Sequence, residues 1–298
     1  MSFSITTDII NEEYFSGELT NNLGKKHVFN YLNNLSLLND DGIEVLKTGR
    51  NSIYKISLRG SGEMNQYIEC AFKHFSNQGL IQRYRSLTKG SKAKRTWVNS
   101  IYLAENRIGV SFPFLFVEMK NGEGVFVSEY LSNRVSFKEK LIDLLRNNPD
   151  IDVVATLLRK VAFSIRLMHD AGFQHNDLGN QNILLKEEDN GDVSSVEFID
   201  LNRGYIREKL STRQVARDLS RLKLPGELRK LFDECYFIDK KKSLLYRFTL
   251  SLYLFSFSLH TRSRKYRHPI RERRIAKERS GYIGYPEEIF LMKNAKKK

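Results

Sequence analysis

Residues 173–185 of the chain read FQHNDLGNQNILL. Asp177 and Asn182 lie five residues apart here, between an amphipathic helical pattern and a short apolar run. Phosphoryl transfer to a hydroxyl needs a carboxylate that accepts the hydroxyl proton and, beside it, an oxygen ligand for Mg²⁺. His175 completes the spacing H-x-D-x-x-x-x-N of a kinase catalytic loop, where it is expected to hold the loop by packing and hydrogen bonds. The segment therefore predicts a catalytic loop with Asp177 as base.

Two further charged residues extend this pattern. An apolar strand pattern ends in Asp200, where a kinase places the carboxylate that binds the metal bridging the phosphates, although the motif here is Asp-Leu-Asn instead of Asp-Phe-Gly. Lys73 lies on the predicted strand Tyr67–Phe75, from which its ammonium could neutralise the α- and β-phosphates of ATP. A preceding turn is predicted to cover the phosphates, with cofactor-binding residues Gly49, Asn51 and Ser52.

The order of elements predicts an α+β, bilobal protein-kinase-like fold. A strand-rich N-lobe with one main helix, capped by Ser91 and running to about Asn106, is expected over residues 1–131. A helical C-lobe is expected over residues 132–298, with helices at 152–169 and 211–222. The predicted strands are 43–46, 53–58, 67–75, 114–117, 124–130, 183–185 and 193–199.

The chain of 298 residues carries a net charge of +14, which favours an anionic partner. Nine of its basic residues lie between Arg262 and Arg279, without zinc-ligand spacing or an aromatic-interleaved repeat, so no specific nucleic-acid module is expected. With only two cysteines, a disulfide framework is excluded and a reducing compartment fits best.

The most apolar window is Leu244–Leu259, which contains Arg247 and several serines. It is shorter than the roughly 18 apolar residues of a membrane span, so we predict a buried helix. No signal-peptide pattern opens the sequence, and residues 26–38 are predicted to form a helix that packs on the N-lobe.

With these motifs in place, the chain resembles the lipopolysaccharide kinase family, which includes Kdo kinases and core heptose kinases. The resemblance covers about residues 45–225. It rests on the segments 91–97, 106–110 with Pro113, 175–178 and 198–203.

The resemblance implies ATP, Mg²⁺ and a lipid-linked core oligosaccharide acceptor at the cytoplasmic face of the inner membrane of a Gram-negative bacterium. Carried over residue by residue, it makes Lys73 a phosphate ligand, Asp177 the base, and Asn182 and Asp200 metal ligands. Glu129 and Tyr130 would lie in the hinge 128–131 that grips adenine through its backbone. The basic segment 262–279 would then attract an anionic membrane surface.

Two departures from the kinase pattern matter. Thr96 and Trp97 lie where a glutamate partner of Lys73 is expected, and Glu105 near the helix end is the substitute candidate. No Ala-Pro-Glu element follows Asp200, which disfavours a peptide acceptor and favours a small or glycolipid one.

Two alternatives to a Kdo or heptose kinase remain open from the sequence. A kinase for a soluble small molecule such as an aminoglycoside is one, although a protein of charge +14 would repel such cationic acceptors. A pseudokinase or basic binding module is the other, because the helix glutamate is not identified. Direct nucleic-acid binding by the basic C-terminal segment also stays open.

Overall fold

A computed structural model describes residues 4–20, 23–33, 43–48, 51–61, 66–76, 90–147, 151–238 and 242–267. Most of the basic segment 262–279 lies outside these ranges. Among the described helices, none combines the length and the apolar character needed to cross a lipid bilayer.

The first part of the chain is built around a seven-stranded antiparallel sheet of order β1-β2-β6-β7-β5-β4-β3. Its strands are β1 (Thr7–Asn11), β2 (Phe15–Thr20), β3 (Glu44–Lys47), β4 (Asn51–Arg59), β5 (Tyr67–Phe75), β6 (Pro113–Met119) and β7 (Gly124–Glu129). The strands predicted at 43–46, 53–58, 67–75, 114–117 and 124–130 are all present, with shifted ends. The sequence patterns did not reveal β1 and β2, because these short strands mix polar and apolar residues.

Two helices cover the sheet. Helix α1 (Lys25–Asn33) packs Val28 and Leu32 into the core on one face, and this supports the predicted N-terminal helix as far as Asn33. Helix α2 (Lys92–Glu105) begins at Ser91, whose hydroxyl accepts a hydrogen bond from the Lys94 amide at 3.1 Å, as predicted. Its residues Ala93 and Trp97 pack with Phe75, Phe116 and Phe126 in a small core of their own.

The second part is mainly helical. Its helices are α3 (Phe137–Asn147), α4 (Ile151–Asp170), α5 (Thr212–Leu219), α6 (Gly226–Tyr236) and α7 (Leu244–Arg267). Its strands are β8 (Arg134–Ser136), β9 (Phe173–Gln174), β10 (Ile183–Glu187), β11 (Val193–Phe198) and β12 (Tyr205–Ile206). They form one sheet of order β11-β10-β8 and a pair β12-β9. The whole is the predicted α+β arrangement, a strand-rich first part followed by a helix-rich second part; the lobe boundary at residue 131 stays a prediction.

Helix α4 supplies the centre of the largest core. Its apolar residues recur at helical spacing, and Leu158, Val161 and Ile165 are fully buried against the strands that carry the catalytic loop. A close backbone contact joins this core to the segment after α2, since the Phe198 amide donates to the Gly109 carbonyl at 2.9 Å. A Cβ at Gly109 would lie 2.0 Å from the Val196 carbonyl oxygen, so only glycine fits there.

Helix α7 corrects the prediction of a buried helix. One side packs against the core through Tyr246 and Leu250. The opposite side exposes large apolar residues, and we call them the outward face: Leu245, Phe248, Leu252, Phe255 and Leu259. An apolar window tells a helix apart from a loop, but it does not reveal how much of the helix circumference finds a packing partner.

Candidate active site

A cavity of about 330 Å³ opens between the seven-stranded sheet, helix α2 and the end of β11. It is lined by Lys73, Asn182 and Asp200, although more than one hundred residues separate Lys73 from the other two in the sequence. Glu129 and Tyr130 of the predicted hinge line it as well. The structure therefore brings five of the predicted site residues to one place.

The catalytic-loop segment is held by hydrogen bonds of its own residues. His175 is completely buried; its Nε2 lies 3.0 Å from the Ile199 carbonyl, and its Nδ1 lies 3.3 Å from the Asp177 amide nitrogen. Because the amide must donate, Nδ1 is the acceptor and Nε2 carries the proton in this arrangement. His175 is thus a positioning residue that ties the loop to the end of β11.

Asp218 on α5 anchors the same loop through the backbone amides of His175 and Asn176. The sequence predicted no role for this residue. Its carboxylate is fully buried and accepts hydrogen bonds from the amides of His175 at 2.6 Å and Asn176 at 2.7 Å. The His169 Nε2 lies 3.4 Å from the same carboxylate. A buried carboxylate needs such hydrogen-bond partners. The sequence shows only an aspartate four residues before a predicted helix end, which does not indicate that it anchors the loop.

The two positions with left-handed backbone in this region also shape the site. Asn176 has φ 61° and Asp200 has φ 62°. Asparagine and aspartate tolerate this conformation better than other residues with a Cβ atom. The backbone therefore turns sharply beside Asp177 and at Asp200, which directs both segments toward the cavity edge.

Lys73 and Asp200 form an ion pair across the cavity. The Lys73 Nζ lies 2.9 Å from Asp200 Oδ1, and its ammonium also lies 5.3 Å from the centroid of the Phe75 ring. Burial would raise the pKa of the Asp200 carboxyl, but the charge and hydrogen bond of Lys73, with smaller effects of His175 and Arg203, hold that pKa below its ordinary value. Asp200 is therefore ionised at neutral pH.

Asn182 and Asp200 have the chemistry of a magnesium site. They flank paired strands, since Asn182 precedes β10 and Asp200 follows β11, and the Ile199 amide donates to the Asn182 carbonyl at 3.0 Å. The Asn182 Nδ2 donates to the Asp177 carbonyl at 2.8 Å, so the amide oxygen is the atom of this side chain that could serve as a metal ligand. Asp200 accepts from Lys73 and Asn202 through Oδ1, which leaves Oδ2 for a cation. Amide and carboxylate oxygens suit Mg²⁺.

The expected glutamate partner of Lys73 is not Glu105. The Glu105 Oε1 accepts a hydrogen bond from the Ile5 amide at 3.1 Å and thereby ties the segment before β1 to the end of α2. Thr96 and Ser100 of α2 line the cavity instead. Glu105 lies five residues beyond Ser100 and nine beyond Thr96, more than one helical turn too far along the helix. Lys73 pairs with Asp200 in this structure.

Helix α2 contributes to the site in another way. Arg95 Nε donates to the Asn202 carbonyl at 3.0 Å, and Asn99 Nδ2 donates to the Leu201 carbonyl at 2.7 Å. These bonds fix the backbone that follows Asp200. Sequence reasoning missed both residues, because their partners are backbone atoms one hundred residues away.

Residues 128–131, the predicted hinge, run from the end of β7 toward β8, and much of their polar backbone has partners within the chain. The Tyr130 amide donates to the Glu69 carbonyl at 2.9 Å, and the Glu129 amide donates to the Phe112 carbonyl at 2.9 Å. The carbonyls of both hinge residues retain a second lone pair for an adenine amino group.

Two residues of the predicted phosphate loop, Asn51 and Ser52, are among the described residues. Asn51 and Ser52 begin β4 opposite Phe75 and His74, and they do not line the cavity. Leu46, Lys47 and Ile53 line it in their place. Gly49 lies outside the described residues.

Asp177 lies at the edge of the site and pairs with Arg203. The Arg203 guanidinium nitrogen is 3.0 Å from Asp177 Oδ2, and 62% of the Arg203 side chain is exposed. The Arg203 carbonyl accepts a hydrogen bond from Asn176 Nδ2 at 3.2 Å, so its backbone is fixed while its guanidinium reaches into solvent. No role for Arg203 was predicted from the sequence.

Comparison with known proteins agrees with this geometry. The model of the lipopolysaccharide kinase (Kdo/WaaP) family matches residues 105–232. The lipopolysaccharide core heptose(I) kinase WaaP of Escherichia coli K12 is 35% identical over 95 residues, which are 31% of this chain and 36% of that protein. The 3-deoxy-D-manno-octulosonic acid kinase of Vibrio cholerae is 27% identical over 181 residues, 59% of this chain and 70% of that protein.

A solved structure of WaaP in complex with acyl carrier protein aligns with a TM-score of 0.48 and 18% identity over 73% of this chain and 86% of that chain. The chain spans about a third of the length of the Escherichia coli heptose kinase it matches. His175, Asp177, Asn182, Asp200 and Asp218 all fall inside the family match, whereas Lys73 precedes it. The predicted resemblance to the lipopolysaccharide kinase family is thus confirmed, and the match to the family model extends over residues 105–232.

Proposed function

We propose that the chain is an ATP- and Mg²⁺-dependent kinase that phosphorylates a Kdo or heptose hydroxyl of a lipid-linked core oligosaccharide. The observation that carries this proposal is the convergence of Lys73, Asn182 and Asp200 on one cavity, with Asp177 on the adjoining loop. Both curated relatives above are named as kinases of these sugars.

Each site residue has a part in phosphoryl transfer. Asp177 accepts the proton of the acceptor hydroxyl, and the Asn182 side chain, bonded to the Asp177 carbonyl, keeps the base in place. Lys73 breaks its ion pair with Asp200 and binds the nucleotide phosphates. Asn182 and Asp200 would hold Mg²⁺, whose charge neutralises the phosphate oxygens as the bond to the transferred phosphoryl group breaks.

Charge supports an acidic acceptor. Arg203 presents an exposed guanidinium beside Asp177, and the chain as a whole carries +14. Kdo and the phosphates of lipid A are anionic, so this surface attracts them, whereas it repels a cationic aminoglycoside. The same charge favours work at an anionic inner-membrane surface, in line with the sequence-based prediction.

An assay of phosphate transfer from ATP, in the presence of Mg²⁺, to a Kdo-bearing lipid A precursor tests the proposal. Heptosylated core and an aminoglycoside are assayed in parallel as acceptors. The expected product is a glycolipid one phosphate heavier by mass spectrometry. Asp177→Asn keeps the shape of the side chain and should lower the rate by about 10²–10⁴-fold, because the base is lost.

Equal rates for Asp177→Asn and the unchanged protein would contradict the role of Asp177. Phosphorylation of the aminoglycoside alone would support the soluble-acceptor alternative. Nucleotide binding without transfer to any acceptor would favour a pseudokinase.

A further inference from the structure

Helix α7 has two apolar faces that point in opposite directions. Tyr246, Leu250 and Tyr253 recur at intervals of four and three residues and pack inward on the core. The outward face follows the same spacing on the other side of the helix, because residues 248, 252, 255 and 259 lie about half a turn away from them.

The outward face is large and unusually exposed. Phe248 and Phe255 are 64% and 65% exposed, and Leu252 is 52% exposed. Single exposed apolar residues are ordinary on protein surfaces, but a contiguous row over four helical turns marks an interaction site.

The charge of the adjoining sequence selects the partner. No aspartate or glutamate occurs in Leu244–Arg267, and the sequence from 262 to 279 contains nine basic residues against two glutamates. A helix that combines Phe and Leu on one side with Lys and Arg nearby is characteristic of segments that lie in the surface of an anionic membrane. Since its inward side is packed against the core, α7 has only the outward face to insert.

The helix also lies next to the catalytic region. The Phe257 ring is 5.2 Å from the Arg221 guanidinium and 5.9 Å from the Lys223 ammonium. The backbone of Lys223 exchanges two hydrogen bonds with the side chain of Asn180, three residues after Asp177. Contacts therefore connect α7 with the loop that receives the acceptor.

We propose that the outward face of α7 inserts into the surface of a bilayer rich in anionic phospholipid and holds the catalytic loop at that surface. The apolar side chains supply the insertion, and the basic segment that follows supplies attraction to the head groups. This inference shares with the proposed function only the place at a membrane; it requires neither ATP nor acceptor.

Vesicle co-sedimentation of the full chain, without nucleotide or acceptor, tests the proposal. Vesicles of phosphatidylcholine and phosphatidylglycerol in equal amounts are compared with vesicles of phosphatidylcholine alone. We expect binding to the anionic vesicles that weakens with added salt, and a loss of about tenfold or more in partitioning for the double variant Phe248→Ser with Phe255→Ser. Phe163→Ser on α4 is the matched control, because Phe163 is exposed to 60%, and it should bind like the unchanged protein.

Light scattering and thermal unfolding of the same variants decide between partners. If the unchanged protein dimerises and the double variant does not, the face is a contact between two copies and the proposal is overturned. If the double variant unfolds at a clearly lower temperature, another part of the chain already covers the face. Equal vesicle binding of the double variant and the unchanged protein would also refute it, whatever the kinase assay shows.

Discussion

The candidate active site buries polar side chains, whereas the outward face of α7 exposes apolar ones. In the site, polar groups such as Asp218 and His175 are completely buried, and the chain itself supplies their hydrogen-bond partners. On the outward face, large apolar groups are exposed and nothing in the described residues covers them. The difference indicates that the site is preorganised by the fold, whereas α7 is suited to a partner from outside.

The two sides of α7 offer the largest contrast in stability. Leu250→Ala removes a side chain that is 93% buried in the core and should lower the free energy of unfolding by about 2–5 kcal/mol. Phe255→Ser on the outward face should change it by no more than about 0.5 kcal/mol, because the ring has no core contact to lose. Urea unfolding of both variants measures this, and equal losses would mean that the outward face is packed in solution.

The next largest effect is expected at the buried anchor of the catalytic loop. Asp218→Asn leaves one of the two loop amides without an acceptor, which should cost about 1–3 kcal/mol of stability and lower the phosphotransfer rate about tenfold or more. Asp233→Asn is the matched control, since Asp233 is also buried but pairs with Tyr246 and Lys242 away from the loop.

For the control we expect a loss of stability with an unchanged catalytic rate. If both variants lose the same activity, Asp218 contributes only general stability and does not position the loop.

Arg203→Ala should have the smallest effect. The Arg203 guanidinium is largely exposed, so its removal should leave the unfolding temperature unchanged. We expect the KM for an anionic acceptor to rise about twofold to fivefold, the effect of one exposed ion pair, with little change in kcat. Arg203→Lys keeps the charge and should restore most of the affinity. An unchanged KM would show that the acceptor binds elsewhere.

Local patterns were sufficient for much of this fold. Alternation predicted β5 from Tyr67 to Phe75 with correct ends, and the Ser91 cap predicted the start of α2. The strands β1 and β2 were missed because their mixture of polar and apolar residues gives no clear alternation. The exposure of α7 was missed because hydropathy does not distinguish a packed apolar face from an unpacked one.

The sequence by itself determined the chemical inventory: a lysine on a strand, the Asp177 and Asn182 spacing, and Asp200 at a strand end are all local features. Only the tertiary structure decided which of them meet. It paired Lys73 with Asp200, tied Glu105 to Ile5, and placed Asp218 under the loop. These contacts join residues 43 to 127 positions apart in the chain, and such distances are closed by the packing of whole helices and sheets, which no short sequence window contains.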